Sequence, residues 1–114
     1  MELTGADRRA LRALGNALKP LIFIGKRGVT DDILDAIRSA HEHEELIKLK
    51  VLDNCPVDRK EVGRDLERRS GSSLVQVLGR TILLFRRHPD KPAISLPSSP
   101  LPSGPAPGEP SVPG

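Results

Sequence analysis

A two-layer α/β domain with a mixed four-stranded sheet is the fold this sequence predicts, and three observations predict it. Helix-spaced apolar residues alternate with short strand-like runs through residues 1–97. Two of those segments are preceded by Thr4 or Thr30, a residue type that caps helix N-termini, and a third begins near Asp58. The last two strand-like runs are separated only by Gly79-Arg80, the spacing of a tight hairpin. The resulting order is helix-strand-helix-strand-helix-strand-strand, which lays helices against a sheet.

The first helix starts after Thr4, with Asp7 three residues on. Leu11, Leu14 and Leu18 supply an apolar stripe, Arg9 and Arg12 face away, and Pro20 blocks continuation. Leu21-Ile22-Phe23-Ile24 is a continuous apolar run, fit for a buried strand, and Gly25-Lys26-Arg27-Gly28 is a tight loop after it. Thr30 caps the second helix, with Asp31 and Asp32 in its first turn, where a carboxylate suits the helix dipole. Its stripe is Ile33, Leu34, Ile37 and Ala40.

From Leu46 to Val51 the pattern alternates: Ile47, Leu49 and Val51 point one way, Lys48 and Lys50 the other. The third helix runs from near Asp58 to Gly71, a natural C′ residue, on a thin stripe of Val62 and Leu66. Strands from Leu74 to Leu78 and from Thr81 to Arg86 close the domain, with glycine first in a type II′ hairpin.

Beyond Pro97 the composition changes. Residues 98–114 read SSPLPSGPAPGEPSVPG, hold six of the eleven prolines, and have Glu109 as their one charge. Such a segment cannot bury enough apolar surface to offset its ordering entropy, so a disordered tail is expected there. A proline-rich docking segment is the alternative.

The chain has 114 residues, enough for one domain. Eighteen Lys and Arg face fifteen Asp and Glu, for a net charge of +3. This is a folded basic protein, suited to nucleic acid or an anionic surface. Phe23 and Phe85 are its only aromatic residues. That excludes a reader that stacks successive bases on a sheet, and leaves charge, backbone amides and shape as the means of recognition. Structured RNA is then the expected ligand over an unstructured strand. Cys55 is the single cysteine, so neither an intrachain disulfide nor a cysteine-based zinc site is expected. With no apolar run of secretory or membrane-spanning kind, a cytoplasmic protein is expected.

The GKRG loop is the sharpest chemical feature. Paired glycines let backbone approach a ligand, the following helix aims free amides at the loop, and Lys26 and Arg27 add charge. KH domains clamp nucleic-acid backbone with a GXXG loop of this kind. An ordinary turn with solvated basic residues is the competing reading. The spacing is too short for an NTP-binding P-loop. His41 and His43 lack partner ligands and read as a solvated helix end. Glu44 and Glu45 have no nucleophile beside them, so neither catalysis, metal nor cofactor is expected. Lys60, Arg64 and Arg68 form a basic ridge of the solvated kind. Lys48, Lys50, Arg80 and Arg86-Arg87 could join in one basic patch, or serve as edge protection.

Taken together, Leu18-Lys19-Pro20, the strand ending in Gly25-Lys26-Arg27-Gly28-Val29-Thr30, the run His43 to Val51, Val75 to Thr81 and Leu84-Phe85-Arg86 resemble the YhbY/CRM family of chloroplast RNA splicing and ribosome maturation. Ile94-Ser95-Leu96-Pro97 resembles the end of its bacterial members. Phe85, where a tyrosine is common, and an extra Glu before Leu46 depart from the pattern. The resemblance implies a fold like the C-terminal domain of translation initiation factor three, with an added N-terminal helix. It implies RNA binding by Gly25, Lys26, Arg27 and Gly28, with Lys19, Lys48, Lys50, Arg80 and Arg86 as a flanking basic surface. The function it implies is association with precursors of the large ribosomal subunit, by a monomer acting without cofactor. The alternative is a ribosome-associated protein-interaction module that touches RNA incidentally.

Overall fold

The computed structural model describes residues 2–101. Seven elements follow in the expected order: α1 (Gly5–Gly15), β1 (Ile22–Ile24), α2 (Asp31–His41), β2 (Leu46–Val51), α3 (Arg59–Ser70), β3 (Ser73–Leu78) and β4 (Thr81–Phe85). The sheet runs β1-β2-β4-β3. β1 pairs parallel with β2, in the register Ile24 to Val51, and the other two pairs are antiparallel.

Alternation along the strands divides the interior in two. On one face Ile22, Ile24, Ile47, Leu49, Val51, Ile82 and Leu84 pack under Ile37 of α2 and Val62 and Leu66 of α3. These are the stripes read from the sequence, and α3 comes so close that a Cβ on Gly63 would lie 2.9 Å from Val77. On the other face Leu46, Val75, Leu83 and Phe85 meet Leu3, Leu11 and Leu96. The α2/α3 layer and the sheet form the two expected layers, while α1 and the C-terminal segment add a partial cover opposite.

Three local expectations change. The buried line of α1 is Asp7, Leu11 and Gly15, at four-residue spacing, and Leu14 and Leu18 are exposed. Gly15 lets that face lie against the sheet, where a Cβ would overlap the Leu83 side chain. Next, β1 buries only Ile22 and Ile24 and leaves Phe23 outside, since α1 packs over β2 and β3 and stops short of this edge strand. Finally, β3 carries a bulge between Leu74 and Gln76. The extra residue lets Leu74 and Val77, three apart, both face α3 while Val75 joins the opposite core.

The hairpin forms on Gly79-Arg80 as read, with Gly79 at φ +57, the sign a primed turn needs first. The α1 N-terminus is a capping box: the Asp7 amide donates to Thr4 Oγ1, and the Thr4 amide to Asp7 Oδ2, each at 3.0 Å. That carboxylate also accepts from the Ser98 amide at 2.9 Å and from the Ser98 hydroxyl. The Ser99 carbonyl accepts from Arg87, and the Leu101 amide donates to Ser95 Oγ. Packing thus continues past Pro97, the boundary expected from composition, to at least Leu101. The remainder of the expected tail, 102–114, lies outside the described residues.

The Ser98 hydroxyl, with the Thr4 and Ser98 amides, outweighs desolvation and lowers the Asp7 pKa to about 2. A chain ending at Pro97 is therefore expected to melt below one ending at Leu101, and Ser98→Ala to reproduce part of the loss. The gap should be full above the ordinary Asp range and close as pH falls from about 4 toward 2. Paired thermal melts across that range check it.

Candidate nucleic-acid interface

The GKRG segment is a β-turn. The Gly28 amide donates to the Gly25 carbonyl at 2.9 Å, so Lys26 and Arg27 occupy its two central positions, both exposed. Gly28 has φ +68, and a Cβ there would meet nothing within 4 Å. Conformation rather than crowding is what requires glycine at that point. Gly25 has a different reason. A Cβ there would lie 3.3 Å from Asn54 Oδ1 in the loop after β2. Each glycine thus has a use within the turn itself.

Behind the turn, Thr30 Oγ1 accepts from the Ile33 amide at 3.2 Å and caps α2. Arg69 of α3 donates to the Val29 carbonyl at 3.3 Å while also pairing with Asp65 and, at 3.8 Å, Asp31. The Asp65 contact lies within α3. In the fold Arg69 ties α3 to the segment between turn and helix, a contact forty residues apart that no local pattern signals.

The parallel register places the other basic residues. Ile24 stands beside Val51, and the Leu52 amide donates to the Ile24 carbonyl at 2.8 Å, so the turn leaves the sheet at the end where β2 finishes. Arg80 lies at that end too, its carbonyl accepting from the Val51 amide at 2.7 Å. Its guanidinium pairs with Asp53, an exposed contact worth little. Lys48 and Lys50 lie on the face away from α2 and α3, half-buried and exposed respectively, and lead along β2 toward the turn. Lys19 is exposed in the segment before β1.

Arg86 does not join them. Its amide donates to the Glu45 carbonyl, just before β2, and the length of β4, six residue steps or about 20 Å, separates it from Arg80. There it lines a depression with Arg38, His41, Arg87 and His88. The single patch of the sequence reading is two groups: Lys48, Lys50 and Arg80, on the face and at the end that also carry Lys26 and Arg27, and Arg86 with Arg87 at the other. Lys60 and Arg64 are exposed on α3, and Arg68 there pairs with Asp65.

One residue read as part of a solvated helix end is not solvated. His41 is buried, with Nε2 2.8 Å from Ser72 Oγ and Nδ1 3.0 Å from the Glu44 carbonyl. That arrangement assigns Nδ1 as donor and Nε2 as acceptor, and burial lowers the His41 pKa. Glu45 is buried as well. It accepts from the amides of His88, Ala93 and Ile94 at 2.8–2.9 Å and pairs with Arg87. Burial raises its pKa, but those amides and the Arg87 guanidinium together bring it below the ordinary value. Both are structural residues of the fold's interior. Among the described residues no group of three His, Cys, Asp or Glu side chains is placed to hold a metal ion, and no helix is long and apolar enough to cross a membrane.

Fold and site define a class: a small basic α/β domain with a GxxG turn between an edge strand and a capped helix. The model of the CRS1 / YhbY (CRM) domain matches residues 3–86, and the chain belongs to that family. It is 41% identical over 95 residues to Probable RNA-binding protein YqeI of Bacillus subtilis, covering 83% of this chain and 99% of that one. It is 30% identical over 86 residues to the rice CRM-domain containing factor CFM3, covering 75% of this chain but 10% of that much longer protein. The solution structure of the Staphylococcus aureus protein SAV1595 superposes with a TM-score of 0.73 at 38% identity, covering 84% of this chain and all of that one.

Glu45→Gln removes the charge that Arg87 and three amides converge on. It is expected to cost about 1–3 kcal/mol near neutral pH, the range for disrupting a buried hydrogen-bonded group. Because the folded Glu45 pKa lies below its unfolded value, this advantage is present above about pH 4.3 and lost as pH falls below it. Melts of the two proteins should converge in acid. His41 acts in the same sense at higher pH: stability is full above about pH 6.5 and declines as pH drops through the lowered folded value.

Proposed function

We propose that this protein is a non-enzymatic RNA-binding factor that associates with precursors of the large ribosomal subunit and assists their assembly. One observation carries the RNA reading: a glycine-framed turn holds Lys26 and Arg27 outward at the head of a capped helix, at the sheet end that Lys50 and Arg80 also occupy. Two adjacent cations on a short rigid turn suit successive phosphates, and the strand lysines continue the positive track. Asp31 and Asp32 in the first turn of α2 disfavour an anion buried deep at that helix end, so phosphates meet the turn from outside.

The RNA-binding name of the Bacillus relative supports the same reading. The large-subunit role rests on the resemblance to single-domain bacterial members described above. It comes with the expectation of a cytoplasmic monomer needing no metal or cofactor. Crosslinking followed by sequencing of the bound RNA tests that role, and recovery of large-subunit precursor RNA is the expected result. Capture of ribosomal protein that survives RNase treatment would instead favour a protein-interaction module.

Replacing Lys26 and Arg27 together by Ala should weaken RNA binding at low salt. The slope of log affinity against log salt should become shallower by roughly one for each phosphate contact removed. Both side chains are exposed, so stability should stay within about 0.5 kcal/mol of wild type. Filter binding over a salt series, with melts alongside, gives both quantities. A folded variant with unchanged affinity and slope overturns the assignment of this turn.

A further inference from the structure

Phe23 is the one phenylalanine left at the surface, since Phe85 is buried in the core, and the chain has no Tyr or Trp. It is 52% exposed, between Ile22 and Ile24, which are both buried. Burying a ring of this size is among the larger gains a core can make, so its placement outside leaves a sizeable apolar surface uncovered. The register sets it in a row across the open face: Phe23 beside Lys50, Lys50 beside Thr81, and Thr81 beside Leu78. Lys50 and Leu78 are exposed as well.

Phe23 also lines an open groove with Gly25, Lys26, Arg27, Gly28 and Asp32. The ring and the cationic turn are thus walls of a single concavity. Its volume is about 500 Å³, in the range of small-molecule sites, so it admits a nucleotide unit rather than an RNA helix.

We propose that Phe23 is a stacking platform for a single unpaired RNA base, seated in this groove while the adjoining phosphates meet Lys26 and Arg27. The inference deepens the RNA-binding reading and rests on it. A flat apolar face beside cations matches the chemistry of a nucleotide, with its π-face next to its phosphate. A purely apolar partner would leave three cations, Lys26, Arg27 and Lys50, to be desolvated or paired. Asp32, the carboxylate among the lining residues, disfavours another phosphate there and is an acceptor for the N–H groups on a base edge. One platform cannot read a run of bases. It selects structured RNA that presents an unpaired nucleotide beside its backbone, such as a bulge or a stem end.

The experiment uses a short RNA stem-loop in two forms, blunt and with an unpaired extension containing 2-aminopurine, whose fluorescence falls when it stacks. Wild type, Phe23→Leu, Phe23→Trp and the Lys26/Arg27 double-Ala variant are titrated with each form, and all are melted. Wild type should prefer the extended form and quench its fluorophore. Phe23→Leu keeps an apolar side chain without a π-face. It should lose the quench and weaken on the extended form by between about 5-fold and about 150-fold, the range for one base-aromatic stack. Its affinity for the blunt form and its salt slope should match wild type. Phe23→Trp should retain both preference and quench. If Phe23→Leu binds and quenches like wild type while the double-Ala variant is weakened, the turn binds RNA, the stacking proposal is overturned, and the exposed row is left to a protein partner. If wild type binds neither form, the RNA reading falls and the proposal with it.

Discussion

The parallel pairing of β1 with β2 is the constraint on which the functional arrangement depends. With Ile24 beside Val51, the chain leaves β1 at the end where β2 also finishes, and the β3–β4 hairpin turns at that same end because β4 pairs antiparallel with β2. One register therefore brings Lys26, Arg27, Lys50 and Arg80 to one region from three separate stretches of sequence. It also sends Arg86 away, since a residue after β4 must emerge where β2 begins. Slipping the β1 register by one residue would reverse which side chains face α2 and α3, exchanging Phe23 with Ile22 and Ile24. The helix-covered core, filled by those two isoleucines, holds that register in place.

The opposite face is closed by different means. α1 covers β2 and β3 with a narrow line of Asp7, Leu11 and Gly15, and the chain beyond β4 returns to place Leu96 in the same core. An irregular segment cannot satisfy its own amides as a helix does, so it needs acceptors. Glu45 takes three of them and Asp7 takes another from Ser98. Two buried carboxylates thus replace the backbone ladder this segment lacks. The capping box that starts α1 is also the anchor for residues more than ninety positions later.

Patterns that repeat within one element were legible in the sequence. The three helices, their caps, the alternation of β2, the α3 stripe and the glycine of the hairpin all follow from local spacing and turn chemistry. What escaped depended on partners distant in the chain. His41 looks like a solvated residue at a helix end because Ser72 is far away in sequence, and no local pattern marks Glu45 as the acceptor for amides between residues 88 and 94. Leu14 and Leu18 share helical spacing with Leu11, but the line through Gly15 allows closer approach to Leu83, and closeness decided which side turned inward. At Pro97 the change in composition is real, yet Ser98 follows it into the fold because Asp7 has room for two more hydrogen bonds. For the candidate site, the turn and its two cations were readable, whereas the division of the flanking arginines needed the strand order.

For aromatic side chains, a count and a position lead to different conclusions. Two phenylalanines in 114 residues exclude a sheet that reads successive bases, and that reasoning holds, since Phe85 is fully committed to the core. It does not exclude a single platform. The run LIFI looks buried throughout because all four residues are apolar, and its period of two becomes visible only when the cover on each face is known. On an edge strand with one bare face, every second residue is a surface residue whatever its type. Phe23 is therefore exposed by topology, and its place beside the GKRG turn follows from the two-residue spacing between Phe23 and Gly25. The same geometry that gives the turn its cations supplies it with a ring, so the proposed phosphate and base contacts fall within reach of one nucleotide instead of on separate parts of the surface.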